Sequence, residues 1–417
     1  MEAVSTALDS LAGFLWGKYS ITLWLIVAGG FFFTIYSRGI PFRYFGHAFA
    51  IIRGKYDDPN DPGQINHFRA LCAALSGTVG MGNIAGVAVA VGTAGPGALF
   101  WMWICAILGM STKFFTCTLT ILYRGKDDRG EVQGGPMYYI EEGMGAKWRP
   151  LAIFFAVCGL FGALPLFQSN QLASLVQQLV FDPLAIFQGE HKLWGGLLTG
   201  LITAALVGGV IFGGIKRIGL FASRMVPAMV ILYVGAGLIL VLTDAAQLPA
   251  TFALIFQDAF TGKAMAGGTF WGVFLWGIRR GAFSNEAGLG TEALAHGAAK
   301  TRQPIREGLV AMTGPFFDTL IICTITGLLI INSGAWQDSG LEGVLLTHHV
   351  FQEGLPGGSF ILLLCVLCFS FTSMVAYSYY VTKCANYLFG FRSEKWLSCF
   401  YLLWIIVAAV VNMGLVL

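Results

Sequence analysis

Long apolar runs separated by short charged segments dominate this sequence. Each run approaches or exceeds the roughly 20 residues that a helix needs to cross a bilayer. We number the runs as spans 1 to 10: Ile21–Ser37, Phe68–Gly92, Ala98–Tyr123, Leu151–Val180, Leu193–Gly213, Ile218–Thr243, Gly267–Phe283, Ile305–Ile331, Ser359–Leu388 and Trp396–Leu417. The pattern predicts an all-α polytopic membrane protein in which residues 1–417 form a single transmembrane domain.

The composition excludes several other classes of protein. Only 11% of the residues are charged, whereas a soluble domain has about 25%. The apolar runs are continuous rather than alternating, which argues against an outer-membrane barrel. The nine cysteines lie in or beside apolar runs, so we interpret them as small buried residues. We find no phosphate-binding loop, nucleophile elbow or cofactor fingerprint, and we therefore expect neither an enzyme nor a nucleic-acid partner.

The distribution of lysine and arginine predicts the orientation in the membrane. Of the 25 Lys and Arg residues, 21 fall in alternate connecting segments and three in the others. Cytoplasmic loops carry the excess of positive charge. We therefore expect a multi-pass protein of the cell (inner) membrane with its N-terminus outside. This sorting counts Arg279 and Arg280 among the cytoplasmic residues.

Glycines interrupt two of the spans together with polar residues. Span 2 contains Ser76–Gly86 (SGTVGMGNIAG), and span 7 runs into Phe283–Gly290 (FSNEAGLG). A glycine in a helix interior costs about 1 kcal/mol relative to alanine, and a charged residue at membrane depth costs more. We predict that both helices unwind there. Unwound backbone is tolerated in a membrane only where it lines a cavity or is buried in protein, and its freed groups can hold a cation or a carboxylate.

The two interruptions occupy matching places in two halves of the chain. With span 1 set aside as an extra helix (about 21–37), one unit covers about 68–243 and a second covers about 267–417. Each unit begins with an interrupted span, and because the first unit has five spans, the second enters the membrane with inverted topology. Paired glycine interruptions of this kind are the best sequence indicator of a transporter's binding site.

Other polar residues inside the spans have two interpretations each. Thr372 and Ser373 could supply oxygen ligands to a monovalent cation, or could bond to carbonyls of their own helix. The run Gln168–Gln171 could contact a ligand or neighbouring backbone. Asp318 and Lys113 could bind a ligand or satisfy the ends of broken helices.

Several motifs resemble the alanine or glycine:cation symporters, also called the sodium:alanine symporter family. They are Gly77–Val87 (GTVGMGNIAGV), Gly95–Trp103 (GPGALFWMW), Gly134–Ile140 (GGPMYYI), Ser284–Gly290 (SNEAGLG) and Gly308–Gly314 (GLVAMTG). The resemblance extends from about Arg43 to Gly390. It implies a leucine-transporter-type inverted repeat of five plus five helices with an extra N-terminal helix. Family members continue through one more helix beyond the point where this sequence stops, so we expect the last core helix to be lacking.

The resemblance also implies Na⁺-coupled uptake of alanine or glycine. By this likeness the amino acid would meet a set of residues from three spans: Val79, Met81, Gly82, Asn83, Gln168, and the backbone near Phe283 and Ser284. Na⁺ would be held by carbonyls near Ser76, Gly77 and Val79 and by the side chains of Thr372 and Ser373. The expected partners are thus a small neutral amino acid, Na⁺ and the lipid bilayer. The oligomeric state is left open.

Two alternatives remain at the level of sequence. One is a proton-coupled or uncoupled amino-acid carrier with the same fold. The other is a membrane protein that binds a ligand without transporting it.

Overall fold

The computed structural model describes residues 13–16, 20–261, 269–338, 341 and 343–411. Its α-helices are α1 (Ile21–Tyr36), α2 (Ile40–Arg43), α3 (Phe45–Ile52), α4 (His67–Thr78), α5 (Val87–Ala94), α6 (Gly97–Leu122), α7 (Pro136–Met144), α8 (Arg149–Gly162), α9 (Leu166–Val176), α10 (Lys192–Ile211), α11 (Gly214–Thr243), α12 (Leu248–Thr261), α13 (Phe270–Asn285), α14 (Glu292–His296), α15 (Pro304–Ala311), α16 (Thr313–Pro315), α17 (Thr324–Ser333), α18 (Ala335–Asp338), α19 (Val344–Gly354), α20 (Gly358–Phe389) and α21 (Glu394–Val410).

Short irregular helices and one hairpin complete the described structure. π-Helical turns occupy Gly82–Gly86, Gln177–Phe181 and Phe316–Cys323, and 3₁₀ turns occupy Ala146–Trp148, Gly189–His191, Ala245–Gln247 and Phe391–Ser393. The antiparallel strands β1 (Gly125–Lys126) and β2 (Val132–Gln133) lie between spans 3 and 4. The predicted start of span 7 at Gly267 and the last part of span 10, residues 412–417, lie outside the described residues.

The helices confirm a multi-pass membrane protein. Among the described residues, seven helices are long and apolar enough to cross a bilayer, and an eighth crossing results if the bent pair His67–Thr78 and Gly82–Ala94 is one span. Helix α1, at 16 residues, is a shorter apolar helix. A helix is the element expected here, because it satisfies its backbone polar groups internally where lipid supplies no partner.

Close packing buries the interrupted spans inside the bundle. Every residue of α4 from Ala70 to Thr78 is buried, and α4 packs against α11, α14 and α20. Small residues permit similarly close approaches elsewhere: a Cβ on Gly97 would lie 2.3 Å from the backbone nitrogen of Ala259, and one on Gly277 would lie 2.5 Å from the carbonyl oxygen of Ala98. Helices in membranes associate through such small-residue contacts. The unwound backbone is therefore enclosed by protein rather than by lipid.

Two helices lie where the sequence pattern indicates only connections. Helix α12 follows span 6, and helix α19 lies in the segment between spans 8 and 9. Both are too short to be recognised as membrane spans. Helix α19 buries Val344, Leu346 and Phe351, and the Thr347 hydroxyl donates to the carbonyl of Ile84 at 3.4 Å. This helix therefore covers the interruption of span 2 from one end of the bundle.

The structure corrects the placement of two arginines. Arg279 and Arg280 lie within α13, as the predicted bounds of span 7 require, and not in a connecting segment. The Arg279 guanidinium donates to the carbonyl of Trp16, a residue that precedes α1. On the predicted topology Trp16 is at the outer end of span 1, so the two arginines do not belong to the cytoplasmic segment that follows. Both guanidinium carbons lie 5.4 Å from the centre of the Trp276 ring, which is within the range of a cation–π contact.

Candidate functional site

The first interruption releases backbone carbonyls from the helix. Helix α4 ends at Thr78, the chain turns helical again at the π-turn Gly82–Gly86, and the two parts are bent by 51°. In a continuous helix the N–H of Gly80 would bond to the carbonyl of Ser76. Here it donates instead to Oδ1 of Asn83 at 2.8 Å, so the Ser76 carbonyl loses its helical partner. The predicted unwinding of span 2 is confirmed.

The second interruption is a left-handed turn after α13. Glu286 has a φ of 56°, and Gly288 and Gly290 have φ values of 88° and 82°. Glycine adopts this region without steric cost, which explains why two of the three positions carry it. The Glu286 carboxylate accepts a hydrogen bond from Thr291 Oγ1 at 2.6 Å and so stabilises the turn before α14. The predicted unwinding after span 7 is also confirmed.

A buried carboxylate joins the two interruptions. Asn83 Nδ2 donates to Asp318 Oδ1 at 2.6 Å and to Ser284 Oγ at 3.2 Å. Ser284 Oγ donates in turn to Asp318 Oδ2 at 2.8 Å, and Thr319 Oγ1 donates to the same oxygen at 2.7 Å. All four residues are buried. Asn83 and Ser284, which are 201 positions apart, are therefore held together by a third span.

Asp318 is a candidate site residue whose role the sequence left open. It lies in the π-turn Phe316–Cys323 of span 8, where the irregular helix brings its carboxylate toward both interruptions. Lys113, itself buried, interacts electrostatically with Asp318 and with Glu286. An acidic residue inside an apolar span is the signal that identifies such a group. Its hydrogen-bond partners, however, come from distant segments, so the spacing of residues along the sequence does not identify them.

A second polar position lies where span 9 touches the first interruption. Ser373 Oγ is buried and has no hydrogen-bond partner within the described part of the chain. A Cβ on Gly80 would lie only 2.3 Å from it. The neighbouring Thr372 hydroxyl donates to the carbonyl of its own helix at Cys368 (2.9 Å) and lies 3.5 Å from Met229 Sδ. Ser373 therefore faces the interruption directly, whereas the proton of Thr372 is used within α20.

The remaining predicted residues of span 2 lie at its interruption. Val79 and Met81 are fully buried. A Cβ on Gly82 would lie 3.9 Å from Cα of Ser284, so Gly82 packs against the second interruption. Gly77 approaches span 9, since its Cβ would lie 2.9 Å from the Tyr380 hydroxyl.

For two predicted residues, Gln168 and Phe283, the described part of the chain shows no side-chain hydrogen bond or ring contact with the interruptions. Gln168 is buried in α9, but the next two residues serve packing: Ser169 Oγ donates to the carbonyl of Ile405, and Asn170 Nδ2 donates to that of Val411, each at 2.7 Å. The side chain of Phe283 is 60% exposed, and its ring lies 6.2 Å from that of Trp16. Any contribution of Phe283 to a buried site must therefore come from its backbone.

The two ends of the bundle are built differently. Helix α19 covers one end, as described above. At the opposite end a cavity of about 240 Å³ lies beside spans 5, 6, 9 and 10. Its lining includes Gln64, Ile218, Ser378, Tyr379 and Lys383. Two interrupted helices that meet at a buried polar centre define the class of polytopic secondary transporters.

Comparison with known proteins agrees with this class. A family model described as the sodium:alanine symporter family matches residues 1–417. The sodium/alanine symporter AgcS of Methanococcus maripaludis is 37% identical over 404 residues, covering 95% of this chain and 86% of AgcS. An uncharacterized transporter of Haemophilus influenzae is 38% identical, covering 100% of this chain and 89% of its own length. The amino-acid carrier protein AlsT of Bacillus subtilis is 32% identical, with coverages of 96% and 82%.

The chain belongs to the sodium:alanine symporter family. It is a cation-coupled amino-acid transporter and not an enzyme. Among solved structures, that of MhsT in complex with L-phenylalanine aligns with a TM-score of 0.59 at 14% identity, covering 84% of this chain and 80% of MhsT. At this identity the alignment shows that the two proteins share a fold.

Proposed function

We propose that this protein takes up alanine or glycine together with Na⁺ by alternating access. The observation that carries the proposal is the buried junction at which Asn83, Ser284 and Asp318 join the two interrupted spans, with Ser373 alongside. The 37% identity to AgcS, a sodium/alanine symporter, supports this choice of ion and substrate.

The Na⁺ site would lie between spans 2 and 9. A hard cation prefers oxygen ligands, and without a carboxylate such a set suits a monovalent ion. The carbonyls near Ser76, Gly77 and Val79 provide oxygens at the broken end of α4. The Ser373 hydroxyl is buried there, and none of the residues that the structure describes forms a hydrogen bond with it. The Thr372 oxygen retains its lone pairs, because its hydroxyl acts as a donor toward Cys368.

The amino acid would bind beside the ion, where the two interruptions meet. The helical turn that starts after Met81 presents free N–H groups, which suit the carboxylate of a zwitterion. Gly82 and Asn83 lie against Ser284, so the backbone near Phe283 and Ser284 would form the facing wall, with Gln168 closing the pocket. Asp318 orients the side chains of Asn83 and Ser284 by accepting hydrogen bonds from both.

Transport would follow from two inverted units that move against each other. Spans 2–6 and spans 7–10 form these units, and the site lies between them. Binding of Na⁺ orders the interruption of span 2, so by linkage the ion and the amino acid raise each other's affinity. A tenfold Na⁺ gradient supplies about 1.4 kcal/mol, and 100 mV adds about 2.3 kcal/mol per charge. Together these allow roughly 500-fold accumulation.

Uptake into proteoliposomes tests the proposal. Radiolabelled alanine and glycine are offered with an inward Na⁺ gradient, with K⁺ in place of Na⁺, and with a pH gradient alone. We expect accumulation only with Na⁺. Uptake that ignores Na⁺ and follows the pH gradient would instead establish a proton-coupled carrier. Binding in detergent without uptake under any gradient would establish a non-transporting protein.

A further inference from the structure

Three buried titratable side chains meet at the end of the bundle opposite α19, which we call the inner end. Glu307 in α15 accepts a hydrogen bond from His296 Nδ1 at 2.5 Å and another from His67 Nδ1. Both imidazoles are 1% exposed and Glu307 is 0% exposed. Because each Nδ1 faces a carboxylate oxygen, each carries a proton as the donor. We call this arrangement the His–Glu–His bridge.

The bridge joins the two proposed units of the transporter. His67 is the first residue of α4, directly before span 2, whereas His296 is the last residue of α14 after span 7 and Glu307 lies in α15 of span 8. Movement of the inner end of span 2 away from spans 7 and 8 must therefore break it.

Backbone contacts reinforce the same junction. Gln64 N donates to the carbonyl of Ala298 at 2.8 Å, and Lys300 N donates to that of Ile65 at 2.7 Å. The Arg124 guanidinium donates to carbonyls on both sides, those of Pro62, Gly297, Ala299 and Thr301. The inner ends of the two interrupted spans are thus closed on each other around the buried bridge.

The bridge has one open position for a proton. His67 Nε2 is buried and has no hydrogen-bond partner within the described residues, so in the neutral ring its lone pair is free. The charged and titratable groups that interact with His67 besides Glu307 are Asp57 and Arg306. Glu307 also interacts with Arg124 and Cys117. The bridge is therefore surrounded by groups of both charges, and one added proton changes the net charge of its three side chains by one unit.

We propose that the His–Glu–His bridge is a proton-binding latch that holds the inner end closed. A proton on His67 Nε2 creates an imidazolium beside the Glu307 carboxylate, and separating the two requires breaking a buried charge-assisted hydrogen bond. The closed state then binds the proton more tightly than the open state, so by linkage acidification at the inner end favours closure. The inference rests on the proposed function, since it presupposes that the inner end opens during transport.

The experiment measures Na⁺-driven alanine uptake in proteoliposomes of defined orientation. The pH of the compartment facing Glu307 is varied between about 5.5 and 8.5, which brackets the ordinary histidine pKa of about 6.5, while the other compartment is held constant. We expect the uptake rate to fall as the compartment facing Glu307 is acidified. On the acid side the rate should fall by nearly tenfold per pH unit, as for the binding of one proton. An equal response to acidification of the outer compartment alone would overturn the proposal.

Variants identify the group that responds. In His67→Asn the amide nitrogen can replace Nδ1 as donor to Glu307, while the Nε2 position is removed. We expect this variant to transport with no dependence on inner pH, and Glu307→Gln to lose the dependence as well. His349→Asn is the matched control, because His349 is 37% exposed beside Glu353 on α19, and it should keep the full profile.

The outcomes separate the two proposals. If the wild-type protein shows no Na⁺-driven uptake, the proposed function fails. If it transports but its rate ignores the inner pH, or if folded His67→Asn keeps the wild-type profile, the latch is refuted. Should Glu307→Gln fail to fold, as shown by gel filtration, His67→Asn decides the question.

Discussion

Substitution of Gly80 by alanine tests whether the interruption of span 2 and Ser373 together hold Na⁺. The added Cβ would lie 2.3 Å from Ser373 Oγ and 3.4 Å from Ser373 Cβ, whereas real Cβ contacts are essentially never shorter than 3.0 Å. The interruption must therefore move away from span 9, or Ser373 must rotate. Overpacking of this kind costs about 1–3 kcal/mol. If the strain falls on the ion site, we expect the Na⁺ affinity to fall by roughly 5- to 150-fold.

A second substitution separates steric strain from loss of a ligand. Ser373→Ala removes the hydroxyl that Gly80→Ala would strike, so the double variant should recover the folding yield and thermal stability of the wild type. It should not recover Na⁺ binding, because the ligand oxygen is gone. A hydrogen bond or ligand contact to a charged group contributes about 1.5–3 kcal/mol, so we expect Ser373→Ala alone to weaken Na⁺ activation by roughly 10- to 150-fold.

The assay is the Na⁺ dependence of alanine uptake, measured beside thermal unfolding in detergent. Gly86→Ala is the matched control, since it lies in the same interrupted span and its Cβ would meet nothing within 4 Å. It should keep the wild-type Na⁺ dependence. The reasoning is refuted if Gly80→Ala retains the wild-type Na⁺ affinity, or if the double variant regains it in full.

Three further substitutions test other contacts of the site. Asp318→Asn removes the charge that accepts hydrogen bonds from Asn83 and Ser284, so we expect KM for alanine to rise by roughly 10- to 150-fold; an unchanged KM would contradict the proposed role. Thr372→Ala should weaken Na⁺ activation more than it lowers expression, and unaltered Na⁺ activation would remove Thr372 from the ion site. Gly97→Ala places a Cβ 2.3 Å from a backbone nitrogen, far from the interruptions, so it should lower the unfolding temperature while folded protein keeps its Na⁺ affinity.

The positions of the two interruptions were predictable because their signal is local. Glycines clustered in an apolar run at Gly80 and Gly82, and again at Gly288 and Gly290, conflict with a continuous helix wherever the chain folds. Helix α19 was not predictable in the same way. Its 11 residues are amphipathic and short, so nothing in the pattern distinguishes a packed cover from an exposed connection.

The choice between Thr372 and Ser373 also needed the folded structure. Adjacent residues on a helix point about 100° apart, so only the packing of α20 against α4 decides which hydroxyl faces Gly80. The sorting of Arg279 and Arg280 with a connecting segment failed for a different reason, since it set aside their position inside the predicted span 7, where α13 also contains them.

The class of protein, the approximate places of its long apolar segments and the two points at which helices break follow from the sequence alone. These properties depend on the transfer of side chains and peptide groups into lipid, which each segment undergoes largely on its own. Only the tertiary structure decided that Asp318 joins Asn83 to Ser284 and that Glu307 joins His67 to His296. Such contacts link residues up to 240 positions apart, and they exist only once helix packing has set the orientation of every side chain.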